Sequence, residues 1–413
     1  MVYPLLPLFL VGVLGTSKTQ LGAMEGAAVL VVALMSAVAG IRSDRPGNAG
    51  GRVWWIRWGY GLPVIGKAII ALATVWPLVL GGRLLDRFGK GLRSAPRDAL
   101  IADAVATELR GRAFGLHRAF DTAGAIVGVL LSAVLLWWLT GSPQSTNSVP
   151  AMNPAMESPA WVYRTIFGVG AVLGLASLIL TFFVRESAPI PLPGSSTAAA
   201  VGENKTPKTI ATLAPGWLNL PTSYWYVLAI LVLFSLANSS DTFLLLRARD
   251  LGYSPWAVVL AYAVYNVTYS ALSYPAGAIS DRIGRWRIIV VGWVIYAGVY
   301  IGFALVTPSS AWSIWPLMAI YGIYMALTEG VGKALIADHA PRASRGTAMG
   351  LFYALTGLTT LIASLATGIV WDFFGASVAM LIGAGFAILA LATLILVRER
   401  ILPMDHPAKN RPS

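Results

Sequence analysis

"GIRSDRPG" runs from Gly40 to Gly47, and "GAISDRIG" runs from Gly277 to Gly284. Gly, Asp, Arg and Gly recur at matching places, 237 residues apart. A second pair follows. "IADAVATELRGRAFGL" (Ile101–Leu116) matches "IADHAPRASRGTAMGL" (Ile336–Leu351) at an offset of 235. Two landmarks at nearly one spacing mark a duplicated half. The chain therefore reads as two copies of one structural unit.

The solvent of that unit follows from composition. The chain is 57% hydrophobic and 12% charged, against roughly half and a quarter in soluble domains. Apolar runs such as Ala27–Ala39, Val127–Leu139 and Leu381–Val397 are too frequent for one globular core. A lipid bilayer is the expected environment. With no cysteine, disulfide and thiol chemistry are excluded. Three histidines leave little for a metal site, and no metal or cofactor is expected. The net charge of +12 reads first as the basic signature of cytoplasmic loops, not as a nucleic-acid footprint.

A spanning helix needs about 20 mostly apolar residues. Twelve are read: 1–15, 21–41, 54–74, 76–97, 112–139, 160–184, 223–246, 255–279, 288–306, 313–336, 346–369 and 374–397. Basic residues crowd the loops after spans 2, 4, 8 and 10, among them Arg42, Arg52, Arg110, Arg287 and Arg342. Those loops and both termini are therefore expected on the cytoplasmic side. The Pro/Ser-rich stretch between the halves reads as a linker. The expected organisation is a six-helix bundle over 1–184, a cytoplasmic linker over 185–222, a second bundle over 223–397 and a tail over 398–413. The repeat sets Met1 opposite Asn238, past the midpoint of span 7. Residues 1–15 reach about 22 Å as a helix, short of a core of about 30 Å. The expectation is that about 14 residues of helix 1 precede this start, the alternative being a truly short first helix.

These motifs resemble those of the major facilitator superfamily over nearly the whole chain. Its loop signature is matched by Gly40, Asp44, Arg45 and Gly47, and again by Gly277, Asp281, Arg282, Gly284 and Arg285. The first copy departs at Asn48–Gly51, and its basic run resumes only at Arg52. A fourth-span signature is met by Arg87, Lys90, Gly91 and Ala95. In the fifth span Gly124 and Gly128 fit, but Val129 stands where the family often has Pro, which weakens a drug–proton antiporter assignment. "GKGLRSAPRDALIAD", "HRAFDTAGA" and "LTEGVGKALIAD" resemble a subgroup of bacterial permeases. The resemblance implies an all-α fold of two pseudo-symmetric six-helix bundles and a multi-pass monomer in the bacterial inner membrane. It also implies a site between the halves and alternating access by rocking. The two loop motifs are then gating latches at the cytoplasmic ends of spans 2 and 8.

"GGRLLDRFGKGLRSAPRDAL" (Gly81–Leu100) is the most charged stretch of this apolar chain. At about 100° per residue, Arg83, Asp86, Arg87, Lys90, Arg93 and Arg97 share an arc of about 120°. A mid-membrane Arg or Lys facing lipid costs about 2.5–3.5 kcal/mol or more. The stripe must face protein or water. Arg83, Asp86, Arg87 and Lys90 lie deep enough to line a transport path. Arg93 and Arg97 read as snorkelling at the inner edge. Asp86 also reads as a neutralising partner for Arg83 or Lys90. Asp121 on span 5 lies at a depth where it meets Arg87, as a structural pair or a coupling carboxylate. His117 titrates near neutral pH, or is simply hydrogen-bonded.

In the second half Asp241, with no basic neighbour within four residues, is a proton or cation candidate. Glu329 and Lys333 are an i,i+4 pair, with Glu329 a further proton candidate. Lys67 lacks a local partner and is expected to face a helix or the cavity. Tyr262, Tyr265 and Tyr269 share a helical face beside Asn266; they line a cavity or pack. The expected function is a secondary transporter, proton-coupled, exporting a small anionic or zwitterionic organic solute. The alternatives are an uptake permease or facilitator, or a sensor without transport. No phosphate-binding loop or catalytic cluster argues for an enzyme.

Overall fold

The computed structural model describes residues 5–6, 9–16, 18–45, 51–140, 159–184, 220–253 and 255–401. Gly47, residues 185–219 of the linker and residues 402–413 of the tail fall outside them. Spans 2 to 6 are α1 (Lys18–Ser43), α2 (Gly51–Leu72), α3 (Trp76–Asp103), α4 (Arg110–Thr140) and α5 (Ala160–Leu180). The seventh is α6 (Thr222–Ser235) and α7 (Thr242–Asp250). The last five are α8 (Pro255–Ile283), α9 (Arg285–Leu305), α10 (Ile314–Asp338), α11 (Arg345–Phe374) and α12 (Ala376–Ile401). The fold is the all-α arrangement of two six-helix bundles. Among the described residues, seven segments are long and apolar enough to cross a membrane on their own. α2 and α3 are not among them, because both carry several charged residues.

Span 7 corrects the expectation of one helix over 223–246. Its turns stop at Ser235 and restart at Thr242. Between them lies "LANSSD", whose Asn, Ser and Asp side chains compete with helical backbone bonds. In a bilayer the freed backbone groups need protein partners. Tyr296 donates to the Ala237 carbonyl at 2.5 Å, and Ser240 N–H donates to Ser364 Oγ at 3.0 Å.

Within the first bundle, α2 lies against α3 through glycines. A Cβ on Gly66 would stand 2.5 Å from the Gly82 carbonyl oxygen, and one on Gly82 would stand 2.6 Å from that of Gly66. Small residues let helix backbones approach this closely in lipid.

Two seams join the bundles, α1 on α11 and α4 on α8. Their glycines are related by the repeat. A Cβ on Gly40 would stand 2.2 Å from the Gly346 oxygen; one on Gly277 would stand 2.1 Å from the Gly111 oxygen. One on Gly350 would meet the Ser36 oxygen at 2.6 Å, and one on Gly115 the Ser273 oxygen at 2.4 Å. No side chain fits at these crossings. Both lie towards one end of the molecule, where the loop motifs are.

Candidate functional site

Between the bundles lies a cavity of about 780 Å³. Its charged wall comes from α3 (Asp86, Arg87, Lys90, Arg93, Arg97), α4 (Arg118, Asp121) and α10 (Glu329, Lys333). Six of these side chains are basic and three acidic. The rest is largely apolar, from Val29 and Val32 on α1 to Phe352 and Tyr353 on α11. The charged wall thus carries a formal excess of three positive charges. Long basic side chains along a water-filled space avoid the cost of meeting lipid.

Across this space runs a chain of alternating charge. Asp121 accepts from Arg118 at 3.0 Å, and Arg118 lies 3.9 Å from Glu329. Glu329 is 3.4 Å from Lys333, and Lys333 is 3.7 Å from Asp98. Asp98 accepts from Arg97 Nε at 2.9 Å and from the Tyr353 hydroxyl. Arg118 also donates to the Tyr269 hydroxyl. First-bundle helices supply Asp121, Arg118, Asp98 and Arg97; second-bundle helices supply Glu329, Lys333, Tyr353 and Tyr269. The Asp98 side chain is fully buried and that of Lys333 is 6% exposed.

The candidate residues distribute as follows. Asp86, Arg87, Lys90, Asp121 and Glu329 line the cavity. Arg83 does not; it is buried on α3, 3% exposed. Lys67 lines a smaller neighbouring cavity. Arg97 lines the main cavity and pairs with Asp98 rather than snorkelling to the inner edge. His117 is off the cavity wall. Asp241 lies at the break in span 7, accepting hydroxyl bonds from Tyr321 (2.7 Å) and Tyr265 (3.3 Å). Tyr262, Tyr265 and Tyr269 pack in a row, with ring centroids 5.4 and 5.9 Å apart. Asn266 bonds back to the Tyr262 carbonyl. These residues are not on the cavity wall; this face of α8 packs behind it, with Tyr269 bonded to the cavity-lining Arg118.

Sequence reasoning passed over Asp98 and Tyr353. The signal was available in the repeat. Asp98 and Lys333 are 235 residues apart, the offset of the second landmark. They occupy equivalent positions, and equivalent positions on facing helices meet at a pseudo-two-fold axis.

At the loop-motif end the bundles are joined by two matching clusters. Asp44 accepts N–H bonds from Gly346 (3.1 Å) and Thr347 (2.5 Å) at the start of α11. Asp281 accepts from Gly111 (2.8 Å) and Arg112 (2.9 Å) at the start of α4. Each carboxylate thus satisfies exposed N–H groups at a helix N-terminus of the other bundle. The bundles also exchange arginines: Arg110 bonds to Asp338, and Arg345 to Asp103. A further Arg completes each cluster. Arg285 reaches Asp281 and Asp338, and Arg52 reaches Asp44 and Asp103.

Arg52 thus does from α2 what Arg285 does from α9, which answers the departure at Asn48–Gly51. Arg45 and Arg282 are exposed and add no bond to these clusters among the described residues. Gly284, with φ 100°, turns the chain from α8 into α9.

Comparison with known proteins agrees with this geometry. Residues 1–331 match the model of the Major Facilitator Superfamily. An uncharacterized MFS-type transporter of Methanocaldococcus jannaschii is 32% identical over 96% of this chain and 90% of its own length. The multidrug resistance protein MdtH of Cronobacter sakazakii is 26% identical over 84% of this chain and 77% of its own. Among solved structures, the MFS transporter FucP in its outward conformation superposes with a TM-score of 0.71 at 15% identity. That match covers 93% of this chain and 90% of that one.

Proposed function

The chain belongs to the major facilitator superfamily of transporters, and from that premise we propose that it is a proton-coupled secondary transporter exporting a small organic anion or zwitterion. The observation that carries this reading is the cavity between the bundles, with six cationic side chains against three acidic ones. Arg presents a planar fork that fits a carboxylate or phosphate. Arg87 and Lys90 hold the solute's anionic group in this reading. Asp121 and Glu329 flank Arg118 at 3.0 and 3.9 Å. A proton taken by either carboxylate weakens that pair and frees Arg118 for the solute, which ties proton to cargo.

The two latches close the loop-motif end. With that end cytoplasmic, as the basic loops argue, the arrangement is the outward-facing state of an alternating-access cycle. Opening inward requires both latches to part, with both termini and the linker on the cytoplasmic side of an inner membrane. Export accords with the similarity to MdtH, a multidrug resistance protein.

The test is transport in liposomes under an imposed pH gradient, with anionic and cationic solutes screened side by side. Arg87→Ala is expected to cut anion flux at least about tenfold, the loss of one charge-assisted contact. Movement of cations alone, undiminished in Arg87→Ala, overturns the reading.

A further inference from the structure

A second cavity, about 140 Å³, lies inside the first bundle, beside the space between the bundles. Tyr60 and Lys67 of α2, Asp86 and Arg93 of α3, and Gly174 and Ser177 of α5 line it. Asp86 and Arg93 face both cavities. We propose that this side cavity is a resident site for a small monovalent anion of chloride size, held between Lys67 and Arg93.

The argument is an excess of donors and of positive charge. Lys67 carries three N–H donors and makes no hydrogen bond or salt bridge with a described residue. Arg93 donates through one terminal nitrogen to the Gly59 carbonyl at 2.9 Å and stacks on Tyr60 at 4.4 Å. Its Nε is buried without a partner. Ser177 has its own donor committed to the Leu173 carbonyl. Among the described residues Asp86 is the one carboxylate on the cavity wall, and Lys67 and Arg93 share it with Arg87, whose Nε lies 4.0 Å away.

Two cations and one shared carboxylate leave a net positive charge in a small, partly open cavity with Ser177 at its exposed rim. An uncompensated charge there is costly, and an acceptor-only guest with one negative charge removes both deficits. Gly174 keeps the room open. A Cβ added there would stand 3.6 Å from Lys67 Nζ, so a longer side chain would fill the space the ammonium faces. A bound anion competes with Asp86 for Lys67 and Arg93, which leaves more of that carboxylate for Arg87 on the main-cavity side.

This inference does not depend on the transport reading, because its assay reads stability. The purified protein is melted in chloride and in lactobionate, a disaccharide acid with no room in the cavity, at equal ionic strength. Chloride is expected to raise the melting midpoint saturably, by roughly 2–4 °C. Bromide is expected to replace it and to give an anomalous scattering peak beside Lys67 in crystals.

Lys67→Met removes the ammonium, and Gly174→Leu fills the cavity without touching a charge. Both are expected to abolish the chloride-dependent part of the shift. If Lys67→Met fails to fold, Gly174→Leu carries the test alone. Equal midpoints in the two salts overturn the site. So does a chloride shift undiminished in the folded variants, or bromide located only in the main cavity.

Discussion

The gate and the cavity are built from the same duplicated sequence and have diverged to different degrees. At the gate the two halves remain equivalent. Asp44 and Asp281, Asp103 and Asp338, Arg110 and Arg345 stand at repeat-related positions and make related bonds. Even the glycine crossings match, at 2.2 and 2.1 Å for an added Cβ. In the cavity equivalence is lost. Arg118 corresponds to Tyr353, Asp121 to Thr356, and Asp86 to Tyr321 by the 235-residue offset. On the proposed transport reading, a rocking motion needs two alike hinges, so the latch residues stay paired. Recognition of a solute without two-fold symmetry needs unlike walls, so the cavity residues drift apart. Asp98 and Lys333 stand where the two regimes meet: the same position in both halves, carrying opposite charges.

That pair offers the hardest test of the contrast. Asp98→Ala leaves Lys333 and Arg97 without the carboxylate they share, with Lys333 6% exposed. Removing one member of a buried charge pair costs about 3–5 kcal/mol. The expected outcome is a large fall in melting temperature, or no folded protein after extraction. Exchanging the two, Asp98→Lys with Lys333→Asp, is expected to recover part of the loss, because the positions are interchangeable about the axis. The recovery is incomplete, since Arg97 and Tyr353 favour an acid at 98. No recovery at all would mean that the axis does not relate them.

The gate predicts equality instead. Arg110→Ala and Arg345→Ala each remove one exchanged arginine, and each leaves a carboxylate short of a partner. The native chain has no cysteine, so a single introduced thiol reports without background. Ser43 and Ser280 are repeat-related and buried, 6% and 1% exposed. Cysteine at either is expected to label slowly in the parent and at least about tenfold faster in both arginine variants, a shift of about 1.4 kcal/mol or more. Acceleration in only one variant would break the symmetry of the latches.

How much of this was legible without coordinates follows the same division. The repeat carries the gate, because a latch motif is local and its partner helix end lies in the second landmark of the same repeat. The charged ridge of α3 was legible because a helix turns by a fixed angle. At its inner end that angle misleads: it predicts a snorkelling Arg97, whereas Arg97 meets Asp98, which Lys333 anchors from the other bundle. Such pairing across 235 residues leaves no local trace and shows only when repeat positions are compared. Span 7 was read as unbroken because its apolar average hides four consecutive polar residues, Asn238 to Asp241. Those residues carried a break signal that length and hydropathy do not weigh. Asn266 and the tyrosines of α8 show the reverse limit. Periodicity finds their common face, and only packing places it behind the cavity wall, Tyr269 against Arg118, rather than on it.

The smallest expected effect concerns the hydroxyl of Tyr353. It donates to Asp98, which Arg97 at 2.9 Å and Lys333 at 3.7 Å also hold. Tyr353→Phe keeps the ring, over which Lys333 Nζ lies at 5.5 Å, and removes one donor of three around a carboxylate. A single such bond is worth about 0.5–1.5 kcal/mol net, so a modest drop in melting temperature is expected. Tyr269→Phe, which removes the corresponding partner of Arg118, is expected to cost a similar amount. Because a neutral hydroxyl is lost in both, neither variant should alter the salt dependence of the melting temperature, whereas Asp98→Ala should. If Tyr353→Phe destabilised the protein as much as Asp98→Ala, the axis would be held by the hydroxyl bond rather than by opposite charge. The divergence between gate and cavity would then lie in hydrogen-bond geometry instead of electrostatics.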